Sequence, residues 1–508
     1  MFIKVNSIGL FGLNAYSVEV ELAINRGQPS FDLVGLPDAS IKESRERIKS
    51  ALRSINIAFP VANVIVNLAP ANTKKSGSVH DLAILIAMLK GMSHIDANLD
   101  DCVFVGEVSL SGNIRAINGV LPMVLYAKEH GYKSIYVPKD NTTEASVVDG
   151  IDVYGVENIE QLLYHFNGGK TIPKEPIYEY NSNTENYLLN FSDVRGQQSV
   201  KYALEVAVCG GHNVLLIGSP GSGKSMLAKR IPSILPKMSK KESIETTKIH
   251  SIMGKLDKNN PIVTERPFRS PHHTISSSGL VGGGTIPQPG EVSLAHNGVL
   301  FLDELAEFDK HTLELLRQPL EDEKITISRV AGSVTYPCEF MLIGAMNPCP
   351  CGYFNHPKRK CTCSSKAIHN YLSKISGPLL DRFDIHIEVA PVEFQDLVST
   401  QKQESSQTIR ERVLKVRELQ SIRFKGTGIS CNARISADRL QELCPMSYDA
   451  QTFLKNIFDK TGLSARAYSK ILKIARTIAD MDGSEVIQKS HIARATRFRS
   501  LDQKYWQV

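Results

Sequence analysis

One octet constrains this chain more than any other feature: Gly218-Ser219-Pro220-Gly221-Ser222-Gly223-Lys224-Ser225, set between the apolar run Val214–Ile217 and the helix-like MLAKRI. Its glycines let backbone N–H groups wrap a phosphate chain, and a helix starting at the lysine adds partial positive charge. A strand before and a helix after are the setting that a phosphate-binding loop requires. Lys224 is then expected to reach the β- and γ-phosphates of ATP, and Ser225 to ligate Mg²⁺.

Two further strand tips carry matching chemistry. NGVLFLDELAEF (297–308) is an apolar strand ending in Asp303-Glu304. Adjacent carboxylates at the end of a buried strand are costly without a cation, which Mg²⁺ supplies. Asp303 is expected to hold the metal shell and Glu304 to orient and deprotonate the attacking water. FMLIGAMN (340–347) ends in Asn347, an amide that either positions the same water or starts a turn before Pro348. Arg382, in SGPLLDRFDIHIEV, and Arg466, near the start of a late helix, complete the candidate set. A guanidinium is suited to the charge that spreads over a transferring phosphoryl group.

Around this centre the chain divides by pattern. Residues 1–167 mix strands and helices, with SIKESRERIKSALRSI expected as one helix capped by Ser40. Residues 168–190 are rich in Gly, Pro, Asn and charge and are expected to be a linker. Residues 191–395 alternate strands and helices as a parallel α/β sheet does, and 396–508 are mainly helical. No apolar run is long enough for a membrane span, and the N-terminus lacks the order of a secretory signal, so the expected location is the cytoplasm. The net charge of +6 is small, but Lys489, Arg494, Arg497, Arg499 and Lys504 cluster near the end, as a nucleic-acid contact or a solvated helix face would.

Nine cysteines without an export signal argue against a disulfide framework. Cys349, Cys351, Cys361 and Cys363 crowd together as two C-x-C pairs. Four thiolates that converge suit a structural Zn²⁺, with His356 as a spare ligand. The alternative is a loop of free or redox-labile thiols.

The chain resembles the YifB/ComM family of magnesium-chelatase-like AAA+ ATPases over nearly its whole length. The residues that carry the resemblance include SDVRGQ (192–197), GSPGSGKS (218–225), RPFRSPHHTIS (266–276), PGEVSLAHNGVLFLDELAEF (289–308), GAMNPCPCG (344–352) and LSARAYSKILKIARTIADMDG (463–483). The resemblance implies an N-terminal Lon-protease-like (S5-like) α+β domain, a central AAA+ P-loop α/β core and a C-terminal helical lid. It further implies a homohexameric ring with ATP at the subunit interfaces, Arg382 as the arginine finger, Arg466 as sensor 2 and Asn347 as sensor 1. Residues from about Ile249 to Leu294 would be a channel-facing insertion. KITISRVAGSVTYP would be a hairpin turning at Ala331-Gly332, with Arg329, Lys324 and Val330 at its tip.

In the Lon-like region the serine position falls in KKSGSVHDLAI, where Lys75, Ser76 and Ser78 lie, and the lysine position reads Leu121-Pro122-Met123. The expectation is a fold kept without proteolysis. By resemblance the function is a DNA helicase that drives branch migration during natural transformation; the alternative is a chelatase-like remodeller of a protein partner.

Overall fold

The computed structural model describes residues 2–180, 189–257, 260–330, 332–398, 403–461, 464–499 and 501–506. The chain forms two compact units. The first comprises 1–182 with 239–263, and the second 183–238 with 264–508.

The first unit is built on a seven-stranded sheet. Its strands are β1 (Phe2–Phe11), β2 (Asn14–Asn25), β3 (Ser30–Val34), β4 (Asn63–Ala69), β5 (Cys102–Phe104), β6 (Ser134–Pro138) and β7 (Asp152–Val156). Their order is β3-β4-β2-β1-β5-β6-β7, with β2 antiparallel to both β1 and β4 and the remaining pairs parallel. The helix Asp81–Gly91 packs on β1 and β2 and is buried from Asp81 to Leu89, as expected of an apolar run without an amphipathic period.

Local chemistry departs from the sequence reading in two places here. The helix expected from Ser40 is instead a short turn, Ala39–Lys42, capped by Asp38, followed by a separate helix, Ser44–Ser54. The Asp38 side chain accepts from Ile41 N at 2.9 Å, so the aspartate two residues earlier wins the cap. The expected linker starts late: Glu175 N donates to Val153 O and Tyr178 N to Ser146 O, at 2.9 and 3.0 Å. Residues 171–180 therefore run along the first unit, and 181–188 lie outside the described residues.

The helix Lys240–Ile252, which interrupts the second unit in sequence, belongs to the first. A capping box between Ser239 and Glu242 starts it. Ser251 O accepts from Gly119 N at 3.2 Å, and Ser251 Oγ donates to the buried Glu144 carboxylate. The insertion expected over 249–294 is thus split, its first part serving the N-terminal unit and its remainder the second.

The second unit centres on a five-stranded parallel sheet of β8 (Val214–Gly218), β9 (Phe268–Arg269), β10 (Gly298–Leu302), β13 (Phe340–Met346) and β14 (Ile385–Val389). Between β10 and β13 the chain makes a hairpin of β11 (Lys324–Arg329) and β12 (Gly332–Pro337). The sheet order is β9-β10-β13-β8-β14. β8, β10 and β13 are buried at every position, which is why they read as continuous apolar runs rather than alternating ones.

The C-terminal helices Ser406–Arg423 and Ala465–Met481 pack on Gln198–Gly210, and their apolar faces join one core with the sheet. Asp480 ties them together, accepting from Arg423, Arg476 and Asn432. In the hairpin Arg329 pairs with Gly332, and Val330 stands fully exposed; Ala331 lies outside the described residues. Lys324, expected at the tip, instead pairs with Pro337 at the hairpin's base, because the strands run six residues before turning. Among the described residues no helix is long and apolar enough to cross a membrane.

Candidate nucleotide site and its cysteine loop

Strand order alone assembles the site. β13 lies between β8 and β10, in register Ile217↔Met346 and Leu302↔Gly344. The chain continuing from each tip therefore places Gly218–Ser225, Asn347 and Asp303-Glu304 side by side at the carboxyl edge, where parallel sheets present their ligands. Gly221 and Gly223 take φ of +74° and +95°, values open to glycine at little cost, and the helix Lys224–Ala228 begins at once.

Lys224 Nζ donates to Gly218 O at 2.8 Å, to Ser219 O at 3.0 Å and to Asn347 Oδ1 at 3.1 Å. Burial lowers its ammonium below the ordinary lysine value, opposed by the charges of Asp303 and Glu304. A polyphosphate would favour the charged form further. Ser225 Oγ donates to Asp303 Oδ2 at 2.6 Å, so the two oxygens expected to share Mg²⁺ already adjoin. Ser222 Oγ is buried without a hydrogen-bond partner among the described residues, as suits a donor meant for an oxyanion. The loop, its lysine and its metal-ligand pair fit ATP with Mg²⁺.

Glu304 sits at φ +53°, in the left-handed region, with its side chain 59% exposed. A non-glycine residue held there costs about 1–3 kcal/mol, a strain that recurs at functional sites. Its carboxylate lies 3.2 Å from His273 Nδ1. His273 was not singled out in the sequence. The signal available was the His-His pair in RPFRSPHHTIS, just beyond β9.

The two arginines gather elsewhere. Arg382 donates to Glu321, and Arg466 Nη1 lies 3.7 Å from Asp381 with its side chain 63% exposed. Among the described residues neither shares a hydrogen bond or ion pair with Gly218–Ser225.

The cysteine loop follows directly from Asn347. Sγ separations are 3.4 Å for Cys349–Cys351, 3.7 Å for Cys349–Cys361 and 3.6 Å for Cys351–Cys361, and all four sulfurs lie within 4.8 Å. A tetrahedron of Zn–S bonds of about 2.3 Å has edges of about 3.8 Å, so the set fits that ion. Backbone N–H groups of Phe354 and Cys351 point at the sulfurs of Cys349 and Cys363, at 3.3 and 3.4 Å. Desolvation raises the Cys351 thiol, but backbone N–H groups and neighbouring thiols outweigh it and hold the group at about 6. Burial pushes Cys349 up to about 12. His356, the expected spare ligand, instead accepts at Nδ1 from Lys358 N and Arg359 N, at 3.1 and 2.9 Å. The loop also touches the phosphate cradle: Gly352 has φ +82°, and a Cβ there would meet Pro220 Cδ at 2.4 Å.

In the first unit, Lys75 is fully buried and donates to Pro70 O, while Ser78 donates to Glu107. Each side chain is engaged with a partner other than the other.

This geometry defines a P-loop nucleotide site on an AAA+ sheet. The family described as magnesium chelatase, subunit ChlI, matches residues 190–397. Related descriptions of the same subunit and of its C-terminal part match 20–141 and 403–499. Competence protein ComM of Haemophilus influenzae is 40% identical over 506 residues, covering 98% of this chain and 97% of its own. YifB of Escherichia coli is 38% identical with the same coverage. Lon protease 2 of Bacillus subtilis is 30% identical over 186 residues, 32% of this chain and 33% of its own. The chain belongs to the YifB/ComM family of magnesium-chelatase-like AAA+ proteins. That membership carries ATP and Mg²⁺ as ligands, and subunit assembly as the habit of the class.

Proposed function

We propose that the chain hydrolyses ATP as a homohexameric motor acting on DNA. The observation that carries the ATPase part is the grouping of Lys224, Asn347, Ser225 and Asp303 within hydrogen-bond distances at three neighbouring strand tips. Lys224 binds the phosphates, Ser225 and Asp303 hold Mg²⁺, Glu304 takes the proton of the attacking water, and Asn347 orients it. Bound between Ser225 and Asp303, Mg²⁺ would neutralise charge developing on the phosphoryl oxygens. The pairing of Arg382 with Glu321, away from its own chain's loop, supports its role as the finger at a neighbouring subunit's nucleotide, and Arg466, beside Asp381, is the sensor-2 arginine of the helical lid. The cysteine loop holds structural Zn²⁺. The first unit is a docking or positioning module without proteolysis, and nine cysteines with no disulfide among them suit the cytoplasm.

The DNA part rests on the likeness to a competence protein. The second reading, remodelling of a protein partner, is favoured by the matches to a magnesium-chelatase subunit. ATPase turnover is to be measured against single-stranded, duplex and branched DNA, with Lys224→Ala as the inactive control. Stimulation by branched or single-stranded DNA is expected. A rate indifferent to every DNA form would favour the remodeller. Metal analysis of the same anaerobic preparation is expected to find zinc, and its absence would remove the cysteine assignment.

A further inference from the structure

The chain running from β13 toward β14 is basic over a long stretch. From Phe340 to Leu380 it contains no Asp or Glu, yet it carries Lys358, Arg359, Lys360, Lys366 and Lys374, with His356 and His369. Lys358, Arg359 and Lys360 are all exposed, on the loop that joins the two cysteine pairs. Arg359 lies over the Tyr353 ring at 5.1 Å and donates to its hydroxyl at 2.7 Å, so the basic tip is braced by an aromatic ring.

Beside this tip opens a cavity of about 400 Å³, walled by Phe354, Leu372, Tyr505 and Trp506 and rimmed by Lys366 and His369. That volume lies in the ~300–1,000 Å³ range of small-ligand pockets. The helix Ser365–Leu372 supplies one side, its N-cap Ser364 fixing where Lys366 emerges. The helix Leu501–Trp506 supplies the other, where Phe354 and Tyr505 meet edge to face at 6.2 Å and Tyr505 and Trp506 at 6.1 Å. Trp506 Nε1 is engaged with Leu372 O at 3.4 Å, and Tyr505 donates to Glu388. The aromatic faces are thus held by their polar ends. The rim residues Lys366 and His369 are exposed.

We infer that this pocket takes an unpaired base of single-stranded nucleic acid, with the flanking phosphates on Lys366 and the Lys358–Lys360 tip. Aromatic walls accept any base by stacking, and a cationic rim, without acids among the described residues that line it, complements the backbone. An acidic peptide would match the rim but not the aromatic walls. The inference rests on the DNA reading above and names where the strand is held. The site begins at Phe354, just past the loop that runs from Asn347 through the first cysteine pair to Gly352 against Pro220, so an occupied pocket and the phosphate cradle are joined by a continuous stretch of backbone.

Trp506 is the only tryptophan in the chain, which makes the pocket directly observable. The full-length protein, free of nucleotide, is titrated with a fluorescein-labelled oligothymidylate. Binding is read by anisotropy and, with unlabelled oligomer, by Trp506 emission. Quenching in step with binding is expected. Phe354→Ala should weaken binding about tenfold, and Lys366→Glu, on the exposed rim where folding is not at stake, should weaken it and flatten its salt dependence. Binding with unchanged Trp506 emission would overturn the pocket and leave the motor reading standing. Equal quenching by polyglutamate would likewise overturn it. No binding by either readout would remove both the pocket and the DNA reading.

Discussion

Glu304 carries the sharpest residue-scale consequence. It sits in left-handed backbone, next to Asp303, the proposed Mg²⁺ ligand, and 3.2 Å from His273. Its side chain is 59% exposed and adds little to the core, which supports the proposed role as general base. Glu304→Gln should keep ATP affinity and lose turnover by about 10²–10⁴-fold, the range for a general base. Fluorescent-nucleotide binding and phosphate release, measured on one preparation, check both halves. Wild-type turnover would end the assignment. The Asp303-Glu304 pair stood out in the sequence because adjacent carboxylates at the tip of an apolar strand are costly without a cation. His273 did not, because nothing in spacing or period joins residues 31 apart that follow two separate strands.

At the scale of elements, two contacts decide how the chain's loops act on its cores. Gly352 approaches Pro220 so closely that no side chain fits, and its φ of +82° independently disfavours one. Gly352→Ala should therefore push on the phosphate loop, with an overpacking cost of about 1–3 kcal/mol and a rise of about tenfold in KM for ATP. Steady-state kinetics at varied ATP reads it, and an unchanged KM would show that the loop yields freely. The second contact fastens the helix Lys240–Ile252. Burial raises the Glu144 carboxyl, against the hydrogen bonds from Ser251, Leu121 N and Asn141. A carboxyl raised on folding contributes stability that is full below its unfolded value of about 4.3 and is lost as pH climbs through the folded value. Glu144→Gln keeps an acceptor without the charge. Its thermal midpoint should exceed the wild type's at pH 7.5, by about 2–4 °C per kcal/mol released, with the gap closing near pH 4. A gap independent of pH would contradict the burial argument. The sequence showed neither contact, since each joins segments far apart in the chain.

For the whole molecule, the arginines set the test. Arg382 and Arg466 pair with Glu321 and Asp381 within their own chain. If Arg382 serves a neighbour's nucleotide, Arg382→Ala and Glu304→Gln chains are each inactive alone. Mixed together they should regain a share of turnover, because some interfaces then join an intact Glu304 to an intact Arg382. Recovery in ATPase assays of mixed subunits checks this, and no recovery at any mixing ratio would place the arginine in its own chain's site.

What the sequence determined by itself was the nucleotide chemistry. A glycine-rich turn, a lysine at a helix start and acids at an apolar strand's end are local patterns, dictated by backbone reach and by the cost of burying charge. The paired cysteines were local in the same way. Only the tertiary structure decided that the helix 240–252 belongs to the N-terminal unit, that Lys324 stands at the hairpin's base, that His273 meets Glu304 and that Phe354 faces Tyr505 and Trp506. Each of those depends on which surfaces bury one another across long stretches of chain, and apolar burial is non-directional, so no short pattern records its partner.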